Sequence, residues 1–258
     1  MAVFELQILG VGGGISHIYQ SECSSSLLLL RHQQPWALID LGLGVVDALH
    51  RQGWSLPERV LISHNHTDHA GELPVVLRVE QAAGRRLQVL AETGVCQRLI
   101  EHRMAEHAQL IDPHELAEWR SAEAGERVDL GAGLTLEWLP TRHSERCFGF
   151  LLYLEGAPLL GYSADSGELT SLYQRLCEAP TVIFDARETG SDWHAGFDQI
   201  QPWLAAGRYL ISHGIPAEQQ PDYRYRGRRL PLLQPGQRLV LGTATRGEPE
   251  GEHREVNR

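Results

Sequence analysis

The residues of this chain best suited to chemistry lie in one short segment, residues 61–71, with the sequence Leu-Ile-Ser-His-Asn-His-Thr-Asp-His-Ala-Gly. This segment follows an apolar run that predicts a buried strand. Side chains two positions apart in an extended segment point the same way, so His64 and His66 can bind one metal ion. Asp68 and His69 then turn toward a second ion. Imidazole nitrogens and carboxylate oxygens at this spacing predict a metal site.

Three more ligand candidates come just after predicted strands. They are His143, Asp165 and His213, and each follows an apolar run. A strand end is a rigid place from which to present a metal ligand. With the first segment, the chain supplies five histidines and two aspartates. Two ions that share a bridging carboxylate and a bridging hydroxide would use this whole set.

The elements that must position these ligands alternate between strands and helices. The predicted strands are 3–9, 26–30, 36–40, 59–63, 89–91, 134–139, 147–154, 158–162, 181–185 and 208–212. The predicted helices are 72–83, 92–109, 168–178 and 196–206. This alternation in both halves of the chain predicts an α/β protein with two packed sheets and helices outside. We assign residues 1–243 to one domain and residues 244–258 to a polar C-terminal tail.

Composition limits the classes of function. The 258 residues are 42% hydrophobic, which is enough for one large domain with a sizeable core. The formal net charge of -10 argues against stable binding to nucleic acid backbones. The four cysteines form no Cys-x-x-Cys pair, so a disulfide framework is not expected. We find no signal segment and no membrane-spanning stretch, and we therefore expect a cytoplasmic protein without membrane contact.

The order of these motifs along the chain resembles the metallo-β-lactamase superfamily. The resemblance begins at Leu38-Ile39-Asp40-Leu41-Gly42, continues through the histidine-rich segment, and ends at His213. It implies a four-layer αββα sandwich, the metallo-β-lactamase fold, with Asp40 orienting the metal loop. It also implies a division of the ligands. The first ion would be held by His64, His66 and His143, the second by Asp68, His69 and His213, with Asp165 as the bridge.

Two further segments resemble the ribonuclease Z-like phosphodiesterase branch of the superfamily. Residues 143–150, His-Ser-Glu-Arg-Cys-Phe-Gly-Phe, are similar to a signature of that branch. Residues 185–195 resemble the segment that supplies a non-metal catalytic histidine, here His194, in ribonuclease Z and in the phosphonate-pathway cyclic phosphodiesterase. Only 22 positions separate His143 from Asp165, which leaves no room for a tRNA-grasping arm. The chain is thus most similar to armless cyclic nucleotide phosphodiesterases such as the anti-Pycsar proteins.

This resemblance implies a dinuclear phosphodiesterase that hydrolyses a small or cyclic nucleotide by attack of a metal-bridged hydroxide. Asp68 would orient the nucleophile, and His194 would protonate the leaving group with support from Asp185 or Glu188. Three arginines near the motifs could clamp phosphate oxygens: Arg142, Arg146 and Arg187. Zinc is the expected metal, although manganese or iron also suits these ligands. The branch also implies a homodimer, with the first hairpin or the helix at 72–83 as candidate surfaces.

Other functions remain open at this point. The chain could hydrolyse a thioester or a lactone, cut tRNA at its 3′ end, or bind a ligand without catalysis. The glycine-rich segment Gly10–Gly14 predicts a tight turn rather than a phosphate loop, because no Lys-Ser/Thr pair follows it. His17 and Tyr19 would line the cleft from that turn. The basic, aromatic segment Tyr223–Arg229 predicts a flexible loop.

Overall fold

Two β-sheets form the framework of the protein, which is known here from a computed structural model that describes residues 4–14 and 19–242. The first sheet contains β1 (Phe4–Gly10), β2 (Ser26–Arg31), β3 (Gln34–Ile39), β4 (Arg59–Leu61), β5 (Gln88–Glu92), β6 (Glu118–Ala122) and β15 (Arg238–Leu241), in the order β15-β1-β2-β3-β4-β5-β6. The second contains β7 (Arg127–Gly131), β8 (Leu134–Pro140), β9 (Phe148–Leu154), β10 (Ala157–Tyr162), β11 (Thr181–Asp185) and β12 (Arg208–Ile211), in the order β12-β11-β10-β9-β8-β7.

Each sheet begins with antiparallel hairpins and ends with parallel strands. In the first sheet, β1, β2 and β3 pair antiparallel, while β3 to β6 run parallel. In the second, β7 to β10 pair antiparallel, while β10, β11 and β12 run parallel. Parallel strands need crossover connections, and these connections carry the helices. The two halves of the chain therefore repeat one scheme, as the sequence predicts.

The helices are short. They are α1 (Val45–Arg51), α2 (Thr67–Ala70), α3 (Leu73–Ala82), α4 (Thr93–Arg98), α5 (Pro113–Leu116), α6 (Thr170–Leu176) and α7 (Phe197–Ile200). A π-helical turn spans Leu99–Arg103, and 3₁₀ turns span Ala105–His107, Gln201–Trp203 and Ala217–Asp222. None of the helices among the described residues is long and apolar enough to cross a membrane.

The side chains of the second sheet alternate between two apolar cores. In β9, Phe150 and Leu152 face the first sheet, while Leu151 and Tyr153 belong to a separate cluster. That second cluster also contains Tyr173 of α6 and further residues of α6 and α7. Successive residues of a strand point to opposite faces, so this division means that β9 is covered on both sides. Helices α1 and α3 contribute to the first cluster from the other side. The layers are helix, sheet, sheet and helix, which confirms the predicted αββα sandwich.

The structure corrects several predicted elements. The helix predicted at 92–109 is broken into α4, the π-helical turn and a 3₁₀ turn. The loop predicted at Tyr223–Arg229 contains a two-stranded hairpin, β13 (Arg224–Tyr225) and β14 (Arg228–Arg229), turned by Arg226 and Gly227 with φ angles of 48° and 78°. The edge strands β6, β7 and β15 were not predicted, because exposed polar residues interrupt their apolar pattern. Tyr19 is exposed, and His17 and the predicted tail lie outside the described residues.

Candidate metal centre

The ligand candidates meet at one end of the sandwich, where strands from both sheets stop. His64 follows the end of β4 by three residues, and His143 and Asp165 follow β8 and β10 by the same distance. His213 follows β12 by two residues. Hydrogen-bonded strands fix the positions of these chain ends, so residues distant in sequence are held close together.

His64, His66 and His143 form the first group of ligands. One ring nitrogen of each lies within 4.8 Å of the others. The Nε2 of His143 is 3.1 Å from the Nδ1 of His66. Burial lowers the pKa of His143 and lowers the pKa of His64 well below the ordinary value. Neutral imidazoles present lone pairs, so this group can bind a cation.

Asp68, His69 and His213 lie beside the first group. The Nε2 of His69 is 3.8 Å from the Oδ2 of Asp68, and the ring centroids of His69 and His213 are 5.9 Å apart. Burial opposes charge on both Asp68 and His69, but the opposite charges of neighbouring residues have the stronger effect. The pKa of Asp68 is lowered, and the pKa of His69 is raised well above its ordinary value by the carboxylates of Asp165, Asp40 and Asp68. The negative charges of these carboxylates favour a cation here, and a metal ion would take the place of the proton on the Nε2 of His69.

Asp165 lies between the two groups. Its Oδ2 is 3.8 Å from the Nε2 of His143, while its Oδ1 is 3.3 Å from the Nε2 of His69 and 3.4 Å from the Nδ1 of His213. Burial opposes its negative charge, but the neighbouring histidines outweigh that effect and hold its pKa well below the usual range. One oxygen of Asp165 thus faces each group, as a bridging carboxylate requires.

The unpartnered atoms of this centre match metal ions. Among the described residues, four buried atoms of the predicted ligands have no hydrogen-bond partner, namely Nε2 of His64, Nε2 of His69, Oδ1 of Asp165 and Nδ1 of His213. Burying such an atom without a partner costs about 1–3 kcal/mol. Divalent cations would satisfy all four, and a set of imidazole nitrogens and carboxylate oxygens suits zinc, manganese or iron.

Asp40 organises the loop that carries the ligands. Its φ of 60° turns the chain sharply after β3, and its Oδ1 accepts a hydrogen bond of 2.8 Å from the amide of Ser63. Its Oδ2 lies 2.8 Å from the Nδ1 of His69 and accepts a bond of 3.2 Å from the hydroxyl of Tyr162. The Nδ1 of His64 is in turn 3.0 Å from the Oγ of Ser63. These bonds turn the Nε2 atoms of both histidines toward the metal positions.

His194 lies next to the candidate metal ligands, and the carboxylate of Asp185 lies on its other side. Its Nδ1 is 2.6 Å from the Oδ2 of Asp185, and its Nε2 is 2.7 Å from the Nη2 of Arg187. Its ring centroid is 5.2 Å from that of His143. Burial opposes protonation of His194, but the hydrogen bond to Asp185 raises its pKa. Glu188 is exposed, so Asp185, and not Glu188, is the carboxylate that contacts His194.

The structure places the three predicted substrate arginines differently. Arg142 lies at the rim and donates to the exposed Asp192 at 3.1 Å, and Arg187 contacts His194. Arg146 forms a bidentate pair with the buried Glu92, with distances of 2.8 Å and 2.6 Å. A guanidinium held on a buried carboxylate is not free for phosphate. Arg146 is therefore removed from the predicted substrate-binding set.

One contact to the metal loop was missed by the sequence reasoning. Arg103, at the end of the π-helical turn, donates from Nε to the Oδ1 of Asn65 at 2.8 Å and from Nη2 to the carbonyl oxygen of Asn65 at 2.5 Å. Asn65 lies between His64 and His66. Arg103 therefore anchors the loop that carries the candidate ligands His64 and His66. The only signal in the sequence is a lone arginine in a helix, which predicts no such contact.

The fold and this centre place the chain in the metallo-β-lactamase superfamily, in its ribonuclease Z-like branch. A family model described as "Anti-Pycsar protein Apyc1" matches residues 4–208. The chain therefore belongs to the anti-Pycsar protein Apyc1 family.

Individual proteins agree with this placement. A ribonuclease Z from Methanopyrus kandleri is 31% identical over 129 residues, which cover 49% of this chain and only 42% of that protein. The metallo-β-lactamase fold protein YhfI from Bacillus subtilis superposes with a TM-score of 0.71 at 15% identity, covering 93% of this chain and 100% of that one. A diphosphatase of the PhnP family has a TM-score of 0.67 at 16% identity, covering 93% and 98%.

Proposed function

We propose that this protein is a dinuclear metal-dependent phosphodiesterase that hydrolyses a small or cyclic nucleotide. The observation that carries the proposal is Asp165, whose two oxygens face two separate groups of ligands. His194 and Asp185 stand beside them as a further acid–base pair. The family, the ribonuclease Z relative and the diphosphatase all favour chemistry at phosphorus.

The shape of the chain between His143 and Asp165 favours a small substrate. This segment consists of β9 and β10 and their short connection, both strands lying within the second sheet. It therefore carries no projecting arm that could hold a folded RNA. The net charge of -10 also disfavours binding to a long polyanion. We accordingly propose a small-molecule phosphodiester rather than tRNA as the substrate.

In this proposal the first ion is held by His64, His66 and His143, the second by Asp68, His69 and His213, and both by Asp165. When bound, two divalent ions supply Lewis acidity that makes hydroxide accessible at neutral pH and polarises the phosphoryl group. Zinc suits this set best because most of the ligands are imidazoles. Elemental analysis would show whether manganese or iron is bound instead. All four cysteines are free, which supports a reducing, cytoplasmic location.

The protein's own side chains move the protons. Asp68 orients the attacking nucleophile. His194 donates a proton from Nε2 to the leaving alkoxide, while its Nδ1 remains bonded to Asp185. A guanidinium can only donate hydrogen bonds, so in the structure Arg187 donates to the Nε2 of His194. The Nε2 of His194 therefore carries no proton in this state. In this proposal Arg187 moves from His194 to a phosphoryl oxygen when substrate binds, and the vacated Nε2 takes a proton from solvent. The hydrogen bond to Asp185, which raises the pKa of His194, favours that proton.

A substrate screen of metal-loaded protein tests this function. Cyclic mononucleotides, cyclic dinucleotides, linear diesters such as bis-p-nitrophenyl phosphate, and a precursor tRNA would be compared with S-lactoyl thioesters and lactones. We expect turnover of one or more of the small phosphodiesters. Turnover confined to thioesters or lactones would contradict the proposal, as would cleavage of tRNA alone. A metal-loaded protein inert to every ester would instead favour a ligand-binding sensor.

A further inference from the structure

The glycine-rich turn that follows β1 packs against two of the candidate metal ligands, His213 and Asp68. It runs from Gly10 to Gly14 and is bonded to the segment before β2. The amide of Gly12 donates to the carbonyl of Cys23 at 3.0 Å, and the amide of Ser25 donates back to the carbonyl of Gly12 at 2.7 Å. The turn and the serine are thus one unit, and this unit lies against the metal centre.

Ser25 contacts a ligand of the second ion. Its Oγ is 3.2 Å from the Nε2 of His213, and both residues are buried. The other ring nitrogen, Nδ1, is 3.4 Å from the Oδ1 of Asp165. A hydrogen bond at one nitrogen of a ligating histidine sets the tautomer and the orientation of the ring. Ser25 therefore determines which nitrogen of His213 faces the centre.

Glycine at position 13 leaves room for the imidazole ring of His213. A Cβ built at Gly13 would overlap the Cγ, Cβ and Cδ2 atoms of His213. The φ angle of Gly13 is not in the left-handed region, so space rather than backbone conformation accounts for glycine at this position. The ring of His213 lies directly on the backbone of the turn.

Gly14 contacts another ligand of the second ion. Its amide donates to the Oδ2 of Asp68 at 2.7 Å. The ligands of the first ion are oriented by other parts of the chain. The Nδ1 of His64 lies 3.0 Å from the Oγ of Ser63, and the Nδ1 of His143 lies 3.1 Å from the carbonyl oxygen of Trp193. The turn therefore acts on one metal position only.

We propose that Gly13, Gly14 and Ser25 are positioning residues that set the affinity of the second metal position independently of the first. This inference rests on the dinuclear centre proposed above. Loss of a side chain that orients a metal ligand lowers metal affinity by about 10- to 100-fold. Disturbing the turn should accordingly weaken binding of the second ion and leave binding of the first unchanged.

The test is a calorimetric titration of metal-free protein with Zn²⁺, checked by elemental analysis. The variants are Ser25→Ala, Ser25→Thr and Gly13→Ala. Ser24→Ala is the matched control, because Ser24 is buried in the same segment and its Oγ has no hydrogen-bond partner among the described residues. We expect about 10- to 100-fold weaker binding of the second ion in Ser25→Ala and Gly13→Ala, with wild-type binding in Ser24→Ala. Ser25→Thr retains the hydroxyl and should restore the affinity.

Each alternative outcome is distinguishable. Wild-type protein that binds a single ion would contradict the dinuclear centre itself. Wild-type protein that binds two ions, with Ser25→Ala equal to Ser24→Ala, would overturn the role of the turn alone. Equal weakening of both ions in Ser25→Ala would also overturn it, since the turn would then stabilise the whole centre. Because Gly13→Ala risks misfolding, the serine variants decide the question, with circular dichroism as the check on folding.

Discussion

At the scale of single residues, Asp165 and His194 have separable roles. Asp165 is surrounded by histidines of both groups, whereas the ring of His194 is bonded to Asp185 and Arg187. In the dinuclear centre proposed above, a residue between the two metal positions should control metal content. A residue whose nitrogens contact a carboxylate and a guanidinium should control proton transfer. Substitutions at the two sites should therefore have different effects.

We predict that wild-type protein binds about two ions per chain and that Asp165→Ala loses at least one of them. The reason is that Asp165 supplies an oxygen to each position and carries negative charge there. Metal content would be measured by elemental analysis after loading and gel filtration. Asp192→Ala, which removes an exposed aspartate at the rim, should retain both ions. Two ions retained in Asp165→Ala would show that this carboxylate does not bridge.

We predict that His194→Ala keeps its metal and lowers kcat by about 100- to 10,000-fold on diesters with poor alkoxide leaving groups. The loss should shrink when the leaving group is p-nitrophenolate, which needs little protonation. Steady-state kinetics on both kinds of diester would measure it. An equal loss on both, or a loss of metal, would mean that His194 positions the site rather than donating a proton.

At the scale of elements, strand ends and helix starts carry the site. Glu92 shows how a single side chain joins two such elements. Its carboxylate caps α4 by accepting from the amides of Gly94 and Val95 at 2.9 Å and 3.2 Å, and it also binds Arg146 on the loop after His143. This pair joins the start of α4 to the segment that carries the candidate ligand His143.

We predict that Glu92→Gln destabilises the fold by about 1–3 kcal/mol at pH 7, because it leaves Arg146 and the helix start without the charge they contact. Burial opposes the charge of Glu92, but its hydrogen bonds with Arg146 lower its pKa from 4.5. The contribution of Glu92 to the free energy of unfolding is therefore fully present above about pH 4.5. It is lost as the pH falls through the lower pKa that Glu92 has in the folded state. Urea unfolding of both proteins at pH 7 and near pH 3.5 should show the difference shrinking in acid.

Glu118→Gln provides the control for this measurement, because Glu118 is an exposed residue of the edge strand β6. Its stability should match that of the wild type at both pH values. A constant difference between Glu92→Gln and wild type across the pH range would mean that the charge of Glu92 has no role.

At the scale of the whole molecule, the outer face of α3 is the best candidate for assembly. Val75 and Val79 lie one turn apart on this helix and are 62% and 60% exposed. Large apolar side chains on one exposed helix face favour contact with another protein surface. We propose that this face joins two copies of the chain into a homodimer.

We predict that the wild type is a dimer at micromolar concentration and that Val79→Glu is a monomer, because a charge at the centre of an apolar interface has no partner. Light scattering coupled to gel filtration would measure the mass. Val240→Glu, at an equally exposed valine of the edge strand β15, should remain dimeric. A monomeric wild type would refute the dimer, and a dimeric Val79→Glu would place the interface elsewhere.

Much of the site could be predicted from the sequence because its signals are local or ordered along the chain. The spacing of His64, His66, Asp68 and His69 depends only on backbone geometry over six residues. The placement of His143, Asp165 and His213 just after apolar runs indicated strand ends. The alternation of strands and helices was enough to predict the four layers, because the apolar face of each sheet and helix must be covered by another element. Short helices and exposed edge strands were missed because their apolar patterns are too brief or interrupted.

Only the tertiary structure decided which side chains are partners across long stretches of chain. Asp185 and Glu188 are equal candidates in sequence, but the end of β11 turns Asp185 inward to His194 and leaves Glu188 exposed. Arg146 is near a metal ligand in sequence, yet it binds Glu92 of the other sheet. Gly13 and Ser25 reach His213 because the two sheets close on each other. A side chain's partner depends on where distant elements pack, and residue type and spacing carry no information about that.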